Sequence, residues 1–202
     1  MTIALIGASG KAGSRILKEL SDRGHKITAI ARHLDKIAKL PGVTAVAGDI
    51  SNSAALTKIL NGHDVVISAV LFSQTDIPSL IAAIKAVGPK RYLVVGGAGS
   101  LEVAPGVKLV TTPGFPADSI AEATAGGVFL DLLRAEPELS WTFVSPSAMF
   151  IPGKRTGKFR LGKDSLLVND KSSSISFEDY AVAMVDEIEK PTHIRQRFTV
   201  GY

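Results

Sequence analysis

The sequence predicts a three-layer α/β/α protein on a doubly wound parallel sheet, and three observations carry that prediction. A short β-type apolar run, Ile3 to Ile6, turns through Gly7-Ala-Ser-Gly10-Lys-Ala-Gly13 into a stretch with helical apolar spacing. Strand-like and helix-like runs then alternate at short intervals as far as Val95, which calls for right-handed crossovers and parallel strands. The run from Asp64 to Val70 is almost wholly apolar, the mark of a strand covered on both faces. The 202 residues are 46% hydrophobic and 21% charged, which suits a single domain over 1–202 with a sizeable core.

Each element has its own signal. Ala12, Ile16, Leu17 and Leu20 lie on one helical face, and Asp22-Arg-Gly24 closes that helix. Lys26 to Ala31 reads as the second strand, Leu34 to Leu40 as a short helix stopped by Pro41-Gly42, and Val43 to Ala47 as the third strand. Ser51 is the expected cap of a helix to Leu60 with Leu56, Ile59 and Leu60 inward. Asp76 caps the next, with Leu80, Ile81, Ile84 and Val87 on one face, before a fifth strand from Tyr92 to Val95. Gly96 to Pro116 carries many Gly and Pro residues and leaves a strand's carboxyl end, so it reads as an irregular lid or binding loop. A helix from Asp118 or Ser119 to Arg134 follows, with Val128, Phe129, Leu132 and Leu133 expected inward, and then a sixth strand from Trp141 to Ser145. Pro146 to Ser174 interleaves Lys154, Arg155, Lys158, Arg160 and Lys163 with glycines, a surface turn or a basic rim for an anionic substrate. Ser176 then caps a helix with Phe177, Ala181, Met184, Val185 and Ile188 inward, and Arg197 to Gly201 closes the sheet. The segments about 96–117 and 146–176 are expected on the substrate side, and the chain after Trp141 is expected as a small C-terminal appendage that completes that side.

The glycine turn also has chemistry. A strand that breaks through glycines into a helix start presents free N–H groups and the positive end of a helix dipole, which suits a phosphate or pyrophosphate. Gly7 permits the tight turn, Gly10 lets the backbone approach a ligand, and Gly13 lets helix and strand pack closely. Arg32 stands at the tip of the second strand, 19 positions beyond Gly13. An acidic residue there would hold the ribose 2′-hydroxyl of NAD; an Arg suits the 2′-phosphate, so NADP(H) is favoured over NAD(H).

Composition closes off other classes. Cysteine is absent, which excludes disulfides, thiolate metal sites and thiol nucleophiles. His25, His33, His63 and His193 have no metal-ligand spacing, so no metal is expected. The net charge of +4 suits an anionic small ligand and gives no argument for nucleic acid. No apolar run approaches the roughly 20 residues of a membrane span, and Thr2 to Ile6 has no basic leader, so a cytoplasmic protein is expected.

Five stretches, spread over nearly the whole chain, resemble one family in the expected order. They are Gly7 to Gly13, Gly48-Asp49-Ile50, Val94 to Leu101, Ser145-Pro146 and Ser174 to Ala181. The resemblance is to atypical short-chain dehydrogenase/reductases with a Rossmann fold, in the NmrA-like and flavin-reductase (biliverdin-reductase-B-like) branch. It implies that Ser9, Gly10, Lys11, Ala12 and Gly13 hold the pyrophosphate and that Asp49 and Ile50 contact adenine. It further implies that Ser68, Ala69 and Val70 line the ribose side, with Gly97, Ser145 and Pro146 near the nicotinamide. The superfamily's Tyr-x-x-x-Lys pair is missing: Gly96 and Met184 occupy the places four beyond Tyr92 and Tyr180, and Tyr202 is the last residue. Hydride delivery to an isolated ketone needs a positioned acid, whereas a flavin or quinone delocalises the charge and needs mainly alignment. The expected activity is therefore reduction of a flavin-like or quinone-like acceptor, FMN among the candidates, with NmrA-like redox sensing as the alternative. Ser100 or the backbone of Gly97 to Gly99 is the candidate hydrogen-bond partner of the acceptor; as a loop-ordering hydroxyl, Ser100 would serve structure alone. A monomer or homodimer is expected.

Overall fold

All the strands expected from this alternation form in the computed structural model, which describes residues 1–202. The first half runs β1 (Thr2–Ile6), α1 (Lys11–Asp22), β2 (Lys26–Ala31), β3 (Val43–Ala47), α2 (Ser53–Leu60), β4 (Val65–Ser68), α3 (Ile77–Val87) and β5 (Arg91–Val95). A hairpin of β6 (Glu102–Ala104) and β7 (Val107–Lys108) precedes α4 (Ile120–Arg134) and β8 (Trp141–Pro146). The chain closes with β9 (Met149–Ile151), β10 (Arg160–Gly162), β11 (Ser174–Ser176), α5 (Phe177–Glu189) and β12 (Gln196–Gly201).

Eight strands form the central sheet in the order β10-β12-β8-β5-β4-β1-β2-β3, parallel throughout except for β10, which runs antiparallel to β12. Successive β1 residues face opposite sides, as a strand requires. Ile3 and Leu5 join Ile16, Leu17, Leu20, Met184 and Val185 under α1 and α5. Ala4 and Ile6 join Leu56, Leu80, Ile84, Phe129 and Phe143 under α2, α3 and α4. The sheet is thus covered on both faces, a Rossmann arrangement. The chain moves outward from β1 through β2 to β3, then returns to the other side of β1 at β4, leaving a switch point between β1 and β4.

Several local expectations are corrected. Leu34 to Leu40 forms only a 3₁₀ turn at Leu34–Lys36, because Ile37 alone in this stretch is buried and no side chain caps the turn. Asn52, not Ser51, caps α2 by accepting the Ala55 N–H at 3.0 Å, since Ser51 is drawn back to Asp49. The fourth strand is shorter than Asp64 to Val70, for Ala69 and Val70 have already turned away at the sheet's carboxyl end. Within the irregular stretch Gly96 to Pro116 there is one ordered piece, the short β6–β7 hairpin, turned at Gly106 with φ +75°. On α4, Val128 and Leu132 face solvent at 52% and 37% exposure, and the buried face is Gly126, Phe129, Leu130 and Leu133. The C-terminal appendage adds β10 and β12 to the main sheet.

A buried ion pair ties α5 to the sheet's amino end. Arg91 Nη2 donates to Glu187 Oε1 at 3.0 Å and to Thr142 Oγ1 at 2.8 Å. Glu187 also accepts the backbone N–H groups of Thr192 and His193, and its Oε2 lies 2.8 Å from His193 Nδ1. Burial pushes the Glu187 carboxyl up, but the hydrogen bonds from His193, Arg91 and Thr192 outweigh it and hold the group below the ordinary carboxylate range. Removing one partner of such a pair strands the other charge, so Glu187→Ala should cost about 3–5 kcal/mol in urea unfolding at pH 7. Because the folded pKa is the lower one, this stabilisation is complete above the unfolded carboxylate value of about 4.3 and is lost as pH falls through the folded value. Wild-type urea midpoints should therefore drop in acid, and Glu187→Gln should flatten that drop.

Candidate active site

The carboxyl ends of β1, β2, β3 and β4 converge on a cleft of about 470 Å³ at the switch point. Its lining comes from Ile6, Gly7, Ser9 and Gly10 after β1, Ile30 to Arg32 at β2, Gly48 to Ser51 after β3, and Ala69 to Leu71 with Gln74 and Thr75 after β4. The floor is the glycine turn. Gly7 has φ +80°, and the N–H groups of Gly7 and Ala8 both donate to the Ile30 carbonyl, at 2.9 and 3.1 Å. A Cβ on Gly7 would stand 2.1 Å from the Ala69 carbonyl oxygen, and one on Gly13 would stand 2.1 Å from the Gly7 carbonyl oxygen. A side chain at Gly13 would drive α1 off the strand end, and one at Gly7 would push the turn from the end of β4. No side chain caps α1 at Gly10, its first turn holds no acidic residue, and the Ser14 N–H is the first to bond back, to the Gly10 carbonyl. The uncapped start of α1 therefore stands behind the Ser9-Gly10 corner of the cleft with no carboxylate of its own, an arrangement that fits a pyrophosphate.

At the opposite wall, Asp49 Oδ1 accepts the Ser51 N–H at 2.9 Å and the Ser51 hydroxyl at 2.8 Å. Those two bonds, with the Arg32 cation adding to them, hold the Asp49 carboxyl below the ordinary range. Arg32 is exposed at the cleft and forms no ion pair.

Of the residues singled out in the sequence, the cleft gathers Gly7, Ser9, Gly10, Arg32, Asp49, Ile50, Ala69 and Val70. Lys11, Ala12 and Gly13 form the first turn of α1 behind it. Ser68 does not reach the cleft; it is buried and its hydroxyl lies 2.9 Å from the Tyr92 hydroxyl. Ser145 and Pro146 are buried at the end of β8, the Ser145 hydroxyl without a partner, and Gly97 follows β5. Ser100 has the contacts of the loop-ordering hydroxyl, the alternative reading of its role. Its hydroxyl accepts from Arg197 Nη1 at 2.9 Å, and Arg197 Nε donates to Asp164 at 2.9 Å, so this serine ties its loop to β12. Two of the five cations of the basic run, Arg155 and Arg160, are engaged within the fold. Arg155 Nε and Nη2 hold Glu19 at 2.7 and 2.8 Å, and Arg160 donates to the Val168 and Tyr202 carbonyls. Ser51, Leu71, Gln74 and Thr75 were missed. The Asp49-x-Ser51 spacing of an Asx turn pointed to the first, and the carboxyl-end rule for open sheets pointed to the others.

The profile of the NAD(P)H-binding family matches residues 7–191. The chain belongs to that family. Among solved structures, a Bacteroides thetaiotaomicron protein provisionally described as an epimerase is 42% identical over 100% of this chain and 96% of its own, with a TM-score of 0.94. A Burkholderia pseudomallei protein described as exported is 43% identical, covers all of both chains and has a TM-score of 0.90. A Streptococcus pneumoniae protein provisionally described as an NADH-flavin reductase is 36% identical over 100% of this chain and 99% of its own, with a TM-score of 0.87. No helix is long and apolar enough to cross a membrane.

The glycine cradle sets the first site test. Gly13→Ala should weaken NADPH binding by at least about tenfold, since the strand-to-helix turn must open to admit the methyl group. Titration of NADPH fluorescence measures this, with a thermal melt alongside to record the packing cost.

Proposed function

We propose that this NAD(P)H-binding protein is an NADPH-preferring reductase that passes hydride directly to a flavin-like or quinone-like acceptor. The observation that carries the reading is the state of its three tyrosines. Tyr92 is fully buried against Ser68, and burial raises its hydroxyl pKa. Tyr180 is fully buried and donates to the Val144 carbonyl at 2.7 Å, and burial likewise pushes its pKa up. The Tyr202 hydroxyl lies 2.8 Å from both Asp179 Oδ2 and Ser176 Oγ. Each hydroxyl is engaged inside the fold, so the site supplies no tyrosine acid, which favours an acceptor that absorbs charge by conjugation.

In this reading Gly7 to Gly13 hold the pyrophosphate, Asp49 and Ile50 flank the adenine, and Arg32 faces the 2′-phosphate. Bound there, the dinucleotide supplies the hydride, and the protein's part is alignment and exclusion of water. The resemblance to the Streptococcus pneumoniae protein supports a flavin as acceptor. The epimerase description of the Bacteroides relative finds less support, because the Tyr-Lys pair such chemistry uses is absent. A cytoplasmic location belongs to the same proposal, and cell fractionation tests it against the exported description of the Burkholderia relative.

NADPH consumption with FMN, riboflavin and a quinone is the test of turnover. Tight NADP binding with consumption at background would replace the reductase by a dinucleotide-reading regulator. Arg32→Asp should weaken NADPH by about 10- to 100-fold while leaving NADH nearly unmoved, since a charge-assisted contact becomes a repulsive one. Equal losses for both dinucleotides would remove the 2′-phosphate assignment.

A further inference from the structure

The cleft wall after β4, Leu71 to Thr75, makes one 3₁₀ turn at Phe72–Gln74, and Leu71, Ser73 and Gln74 are exposed. Within it the Thr75 hydroxyl and the Gln74 N–H donate to the Leu71 carbonyl at 2.6 and 3.3 Å, which shapes the turn. What anchors the turn to the rest of the fold comes from α4. Glu122, in the first turn of that helix, gives Oε1 to the Phe72 N–H at 2.7 Å and Oε2 to the Ser73 N–H at 2.9 Å and the Ser73 hydroxyl at 2.6 Å. A carboxylate accepting two adjacent backbone N–H groups and a hydroxyl sets both the position and the rotation of that short segment.

One turn further along α4, Gly126 leaves the space that the Phe72 ring fills; a Cβ there would stand 2.8 Å from the ring. Phe72 is 6% exposed, edge-on to Phe129 at 5.8 Å and stacked on Phe143 at 6.2 Å. Its ring also lies 3.6 Å from where a Gly97 Cβ would be. The same helix meets the segment after β5. A Cβ on Gly99 would stand 2.6 Å from Ala123 Cβ, and one on Gly127 would stand 3.7 Å from Ser100 Cβ. Thus α4 carries two walls at once, one lining the cleft and one beginning the substrate-side segment.

We infer that Glu122, backed by the Gly126–Phe72 contact, is a positioning residue: it pre-orders the Leu71–Thr75 wall and so sets the affinity of the cleft for its dinucleotide. An ordered wall removes entropy that binding would otherwise cost. The inference rests on the proposed reading of the cleft as the dinucleotide site.

The test is NADPH titration of the full chain as wild type, Glu122→Ala, Glu122→Gln and Gly126→Ala, each checked for folding by circular dichroism and thermal melt. Glu122→Ala and Gly126→Ala should each weaken NADPH by about tenfold, by different physics, with Glu122→Gln between them and the wild type. With an acceptor present, the loss should fall on KM for NADPH more than on kcat. A merely structural role would shrink the active fraction and lower kcat with KM unmoved, and that result overturns the inference. So does unchanged affinity in folded Glu122→Ala, or in folded Glu122→Gln and Gly126→Ala if Glu122→Ala does not fold. If the wild type itself fails to bind NADPH, the dinucleotide reading falls separately. Hydrogen exchange then decides the clamp: faster exchange at Phe72 and Ser73 in the variants supports it, and unchanged exchange overturns it.

Discussion

The packing of α1 against the end of β1 is the constraint from which the rest of the site follows. Gly13 lies so close to the Gly7 carbonyl that no side chain fits between them, and Gly7 turns at φ +80° beneath the Ala69 carbonyl. That approach aims the uncapped start of α1 at the switch point between β1 and β4, where the strand ends leave a cleft. Both strands neighbouring β1 contribute to it, β2 through Ile30 to Arg32 and β4 through Ala69 to Leu71. A methyl group at Gly13 would therefore disturb the anion cradle, and one at Gly7 would strain the turn and press on the wall that begins at Ala69.

The second organising element is α4, which sorts polar groups between chemistry and structure. Its Glu122 and Gly126 hold the wall after β4, and its Ala123 packs on Gly99 after β5. At the far edge of the sheet Arg197 takes up Ser100, and Tyr180 and Tyr202 are bonded within the α5 side of the molecule. The hydroxyls of Ser100, Tyr180 and Tyr202 are thus engaged within the fold. What the cleft retains is a cation at Arg32 without an ion pair and a capped turn at Asp49-Ser51, with the uncapped start of α1 behind them. That inventory suits an anionic nucleotide.

Features set by neighbours in the chain were legible in the sequence. The glycine turn, the cap at Ser176 and the switch from period 2 to period 3.6 are local, so β1, α1, β4 and α5 could be placed and the cradle named. Where two nearby residues competed for one role, the local reading failed: Ser51 and Asn52 both suit a cap, and only the turn at Asp49 decides between them. On α4 the apolar stripe is wide enough to be read one step out of phase. Glycines at 126 and 127 and the Phe72 ring, 50 residues away from Glu122, select the face that is buried.

By itself the sequence determined the strand–glycine–helix cradle, the parallel doubly wound order and the cation at the tip of β2, because each rests on backbone geometry and spacing within a few turns. Only the tertiary structure shows which partners Ser100, Ser68, Arg155 and Arg160 take, and that Ser51, Gln74 and Thr75 join the cleft. Those assignments depend on partners far apart in the chain, such as Arg197 for Ser100 and Glu19 for Arg155, which no local pattern encodes. The glycine cradle that began as an anion site thus acquires its remaining walls from residues that approach one another only when the sheet closes.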